Sequence, residues 1–93
     1  MVLISHGNYM NPSEIVAVTI PYSAPIKRLI SDARDSALLI DATAGRKTRG
    51  VIFTASGHLV LSSLAPETIK DRVDDFQSYF KNKGRVMTNA HYG

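Results

Sequence analysis

Short β-branched runs alternate with two stretches of helical period along this chain. Val2 to Ile4 is a brief apolar strand candidate, followed by a turn-rich segment from His6-Gly7-Asn8 to Asn11-Pro12-Ser13. Ile15 to Ile20 is β-branched or small throughout and stops at Pro21, the signature of a buried or half-buried strand. Ser23-Ala24-Pro25 then opens a helix: Ser23 caps free N–H groups, and a proline in the first turn gives up a donor that has no partner there. Ile26, Leu29, Ile30 and Ala33 lie at helical spacing, with Lys27, Arg28, Ser31, Asp32 and Arg34 on the other side. Leu38-Leu39-Ile40 is a third strand. Val51 to Thr54 and His58 to Leu61 are two more, joined through Ala55-Ser56-Gly57 as a hairpin loop. Pro66-Glu67 starts the last helix, whose stripe Ile69, Val73, Phe76 and Phe80 is expected to stop at Gly84.

The order β-β-α-β-β-β-α predicts an α+β domain, a small, mostly antiparallel sheet with two helices. Only Ile15–Ile20, the first helix and Leu38–Ile40 are placed to form a parallel crossover. Residues 1–84 are expected to form a single domain, with 85–93 as a mobile tail that shows no periodicity. No apolar run approaches membrane-spanning length, and Met1-Val2-Leu3-Ile4 is too short for a signal-peptide core, so a cytoplasmic protein is expected.

Composition removes several chemistries. With no cysteine there is no disulfide, thiolate metal site or Cys nucleophile. His6, His58 and His91 lack neighbours at metal-ligand spacing, and neither a nucleophile elbow nor a catalytic pair of carboxylates is visible. The expectation is therefore no enzyme, no catalytic residue, no metal, no cofactor, no small-molecule substrate and no membrane partner. Asp41, ahead of Ala42-Thr43, is read as a turn anchor. The tyrosines Tyr9, Tyr22, Tyr79 and Tyr92 do not cluster in sequence and are read as packing or surface residues.

Charge distribution is more telling than its total of +3. Glu67, Asp71, Asp74 and Asp75 alternate with Lys70 and Arg72, a solvated helix face, whereas Arg46, Lys47 and Arg49 fall within four positions with no acid nearer than Asp41. The loop Ala44-Gly45-Arg46-Lys47-Thr48-Arg49-Gly50 sits between two strands. Gly45 and Gly50 permit positive φ and close backbone approach. Arg46 and Arg49 offer forked donors, Lys47 a point charge and Thr48 a hydroxyl. Such a loop suits a nucleic-acid backbone, a small phosphorylated ligand or an acidic protein surface, or is simply solvated. It is not a nucleotide-cradling loop: the places where that motif needs glycine hold Arg46 and Asp41.

Ser23-Ala24-Pro25-Ile26-Lys27-Arg28, Ile40-Asp41-Ala42-Thr43, Gly45-Arg46-Lys47-Thr48-Arg49, Leu61-Ser62-Ser63 and Pro66-Glu67-Thr68 together resemble the RemA family of extracellular-matrix regulatory proteins, from about Val2 to Val73. The resemblance implies a bacterial transcription regulator that binds double-stranded DNA, in some species upstream of biofilm-matrix genes, and acts at the nucleoid. It implies a fold similar to the LytTR-type DNA-binding domain and subunits assembled into a homo-oligomeric ring, an octamer in the described case. Arginines of the family's basic loop contact DNA, and their positions match Arg46 and Lys47. Pro25 matches a proline whose replacement is associated with loss of function, which we attribute to the helix start. Two departures stand out. Glu14 occupies the place of a functional arginine, and Lys47 keeps the charge of an arginine without its bidentate geometry. The last helix also looks longer than the family's, with Phe76, Tyr79 and Phe80 added. A ring-forming, backbone-dominated DNA binder is the first expectation. The second, prompted by Glu14, is a divergent paralogue that keeps the ring as a structural or protein-interaction assembly. RNA binding through the same loop is a third.

Overall fold

The computed structural model describes the backbone of residues 1–92 and the side chains of residues 1–79. Strands β1 (Val2–Ser5) and β2 (Asn8–Met10) form an antiparallel pair. A single 3-10 turn, Pro12–Glu14, leads into β3 (Ile15–Thr19). Helix α1 (Ala24–Asp35) follows, then β4 (Leu39–Asp41), β5 (Gly50–Thr54), β6 (Leu59–Ser62) and helix α2 (Pro66–Tyr92). The segment read as turn-rich from His6 to Ser13 thus holds a strand and a helical turn as well, its bend being at Gly7, where φ is +73°.

The main sheet has the order β3-β5-β6-β4. β3 and β6 both run antiparallel to β5, and β4 runs parallel to β6. β3 and β4 therefore point the same way, as the crossover reading requires, but at opposite edges of the sheet with two strands between them.

Alternation along the central strands sends side chains to two different cores. Val51, Leu59 and Leu61 face α1, where Ala33 is buried and Ile26 and Ile30 pack alongside. Ile52 and Val60 face the other way, onto Val2 and Ile4 of β1 and Ile69 of α2, with Val73 and Phe76 at the margin. Both faces of β5 and β6 are covered, which is why these strands read as continuous apolar runs rather than as alternating ones. The α1 stripe is narrower than its spacing predicts: Leu29 remains 43% exposed.

Both helix starts follow the sequence. Ser23 Oγ accepts from the Ile26 amide at 3.4 Å, and Pro25 occupies the first turn. α1 ends with the Leu38 amide donating to the Ala33 carbonyl and the Ala37 amide to that of Arg34. That is a left-handed C-terminal cap, here made by alanine, with Ala37 at φ 59°. α2 does not stop at Gly84. Its backbone stays helical to Tyr92, because a glycine ends a helix only where the chain turns left-handed, and in an interior turn it costs only about 1 kcal/mol relative to alanine. Phe80 and the side chains of the tail expected to be mobile lie outside the described residues.

Candidate nucleic-acid interface

The β4–β5 connection carries the basic residues, and local chemistry fixes both its ends. Asp41 Oδ1 accepts from the Thr43 amide at 2.9 Å and the Thr43 hydroxyl at 2.6 Å. These bonds favour the carboxylate and hold the Asp41 carboxyl below its ordinary range, the Thr43 hydroxyl being the larger cause. The chain then turns through two left-handed residues, Ala44 at φ 54° and Gly45 at φ 78°, and the Arg46 amide closes back onto the Thr43 carbonyl at 3.0 Å. At the far end the Arg49 amide donates to the Ser62 carbonyl at 2.8 Å. Gly50 is needed for close approach and not for positive φ: a Cβ there would sit 2.7 Å from the Leu64 carbonyl oxygen. The neighbour it admits is the protein's own backbone.

Between these anchors Arg46, Lys47 and Arg49 are exposed, while Thr48 is half-buried. Among the described residues none of the three cations has a carboxylate partner. The ion pair found there joins Lys70 to Asp74 at 2.7 Å on the outer face of α2. Loop charge that no acid neutralises is available to an external anion.

Folding brings two further side chains to this loop. Tyr22, just ahead of the α1 cap, lies beneath Lys47, with Nζ 5.9 Å from the ring centroid, and stays 53% exposed. His6, in the β1–β2 turn, lines a depression of about 350 Å³ together with Arg46, Lys47 and Arg49. Neither is detectable in sequence, because more than twenty residues separate each from the loop and the contact depends on topology.

The other residues singled out from sequence lie apart. Pro25 is in the first turn of α1, where it serves the helix start. Glu14 precedes β3 at Ile15, which pairs with Thr54, whereas the basic loop enters β5 at Gly50. Glu14 is thus at the opposite end of β5, roughly 13 Å along an extended strand, a separation greater than the ~8 Å screening length at physiological salt. No group of acids and histidines able to hold a metal occurs among the described residues, and no helix there is long and apolar enough to cross a membrane.

Comparison with known proteins gives consistent matches. The family described as RemA-like, extracellular matrix regulatory protein A-like, matches residues 1–73. A protein of Microcystis aeruginosa is 53% identical over 72 residues, covering 77% of this chain and 81% of its own length. One from Heliobacterium modesticaldum is 50% identical over 78 residues, covering 84% and 86%. One from Nostoc punctiforme is 51% identical over 72 residues, covering 77% and 82%. All three are named as regulatory proteins.

Proposed function

The chain belongs to the RemA-like family of regulatory proteins, and from that premise we propose that it is a DNA-binding transcriptional regulator, not an enzyme, which grips the duplex backbone through copies of its basic loop displayed around a homo-oligomeric ring. The observation that carries this reading is the pinned loop, whose three cations have no carboxylate partner among the described residues. One such loop gives little affinity. Duplex DNA carries about one charge per 1.7 Å of axis, and salt competes for every contact. Repeating the loop on a closed assembly raises effective concentration without new contacts, and selects DNA by its ability to bend more than by base edges.

Two features of the fold support assembly. Both outer strands of the main sheet, β3 and β4, have one unpaired edge. Each edge also carries exposed apolar side chains: Val16 at 68% and Ile20 at 50% on the β3 side, Leu38 at 38% and Ile40 at 47% on the β4 side. A groove of about 420 Å³ runs between β3 and α2. Two different sticky edges on one chain favour head-to-tail contact, which closes into a ring when the rotation allows it. An octamer is the expected size, and the domain is taken to resemble the LytTR-type DNA-binding domain. The protein acts in the cytoplasm on the chromosome. The distance of Glu14 from the loop favours this reading over a ring that has lost DNA.

The test is the double substitution Arg46→Ala/Lys47→Ala. Retardation of duplex DNA is expected to disappear while the mass measured by light scattering is unchanged. Undiminished binding by that variant would overturn the assignment of the loop.

A further inference from the structure

The depression beside the basic loop differs in shape from a surface that tracks a DNA backbone. It is concave, and its volume of about 350 Å³ falls in the range of small-molecule sites, roughly 300–1,000 Å³. Arg46, Lys47 and Arg49 supply its positive side and His6 its rim, and among the described residues no carboxylate lines it.

Its floor is polar. Ser5 is fully buried, and its Oγ accepts from the Ser63 amide at 3.0 Å. The same oxygen lies 2.9 Å from Ser63 Oγ. Either hydroxyl can donate in this pair, and in the arrangement where Ser5 gives its proton, Ser63 Oγ accepts it. The Ser63 hydroxyl proton is then available to the depression, where Ser63 is part of the lining. Leu3 and Leu64 complete the wall with apolar surface. A hydroxyl donor, three cations and an apolar wall around one concavity match a phosphate monoester attached to a flat or sugar-like body. A phosphate monoester carries more charge than a backbone diester and can enter a recess that a duplex, with sugars on both sides of each phosphate, spans from outside.

We propose that this depression is a binding site for a small phosphorylated ligand of mononucleotide size, and that its occupant competes with duplex DNA for Arg46, Lys47 and Arg49. The site itself stands on the lining; only the competition rests on the DNA-binding reading above. The ligand works by removing loop charge from the DNA-facing surface, which makes it an effector by occupancy without any change of fold.

The experiment is an amide-resolved NMR titration of the full chain with AMP, using adenosine and sodium chloride of matched ionic strength as controls. AMP is expected to shift His6, Ser63 and the 45–50 amides saturably, and adenosine to leave them in place. Ser63→Leu fills the recess while keeping all three loop cations, and is expected to weaken AMP by about tenfold or more, the weight of a lost hydrogen bond to a charged group. His6→Gln, at an exposed position whose hydrogen bond is made by its main-chain carbonyl, is expected to weaken AMP several-fold and serves if the Ser63 variant fails to fold. Shifts no larger than those from sodium chloride, or an AMP titration unchanged in both variants, overturn the site. A retardation assay on the same sample separates the two readings. Duplex retained with no AMP effect removes the small-ligand site alone. Saturable AMP binding without duplex retention removes the DNA reading and leaves the site. AMP and duplex bound together, with no loss of retardation, overturn the competition.

Discussion

Asp41 and Ala37 show how much single backbone positions decide. Asp41 holds the entrance of the basic loop most strongly as a carboxylate, through its two bonds from Thr43. Its folded value is depressed, so its contribution is fully present above the ordinary carboxylate value of ~3.9 and is lost as pH falls through the lower folded value. The Thr43 amide resonance should therefore move with an apparent midpoint below that value, and Asp41→Asn, which keeps an oxygen acceptor that does not titrate, should flatten the profile. A midpoint at or above the ordinary value would contradict the turn. Ala37 closes α1 in a left-handed conformation that costs a residue with a Cβ about 1–2 kcal/mol. Ala37→Gly is expected to raise stability by about 1 kcal/mol, part of the relief being offset by the freedom glycine adds to the unfolded chain. Urea denaturation would read it as a higher midpoint at unchanged slope. What was visible in sequence at this scale is what depends on near neighbours: the Asp41 turn, the Ser23 cap and Pro25 in the first turn of α1. Gly50 was legible as a glycine with a purpose, but its reason, the Leu64 carbonyl, comes from a different part of the chain. Tyr22 under Lys47 and His6 beside the loop were not legible for the same reason.

Among the elements, the β1–β2 hairpin depends most on a few polar atoms. Ser62 Oγ donates to the Ile4 carbonyl and accepts from the Leu64 amide at 3.0 Å, while Ser5 and Ser63 bond beside it. Through these bonds Ser62 and Ser63 fasten the small sheet to the large one. Ser62→Ala would leave a buried carbonyl and a part-buried amide unsatisfied, an expected cost of about 1–3 kcal/mol, with faster hydrogen exchange in residues 2–10. Exchange accelerated equally throughout the domain would mean the hairpin is not a separate unit. The helices were readable from periodicity where the stripe meets the core, as with Ile69, Val73 and Phe76. They were not readable at their limits. Leu29 has the right phase but α1 covers too narrow a sheet to bury it, and Gly84 reads as a stop because sequence cannot tell an interior glycine from a cap.

For the whole molecule, the α+β class and the preponderance of antiparallel pairing followed from element order, whereas the strand order β3-β5-β6-β4 did not. Order depends on which faces the two helices cover, a contest among tertiary contacts. Its consequence is that the two open edges lie at opposite sides of the sheet. Val16→Lys/Ile40→Lys puts like charge on both while replacing side chains that are already exposed. The folded subunit should survive, and light scattering should report a single 10.2 kDa chain with sharply weaker DNA retention. A multimer of undiminished mass would show that subunits meet elsewhere.

The way the basic loop is fastened has a bearing on how such a chain can evolve. Its supports are main-chain groups of Arg46 and Arg49, the Asp41 carboxylate and the missing side chain at Gly50, which admits the Leu64 carbonyl. None of them uses the side chains at 46, 47 or 49. Mutation can therefore retune grip on a polyanion step by step, arginine to lysine to neutral, without penalty to folding, while position 50 tolerates no such drift. Affinity and architecture are inherited as separate traits within one short stretch, residues 41–50.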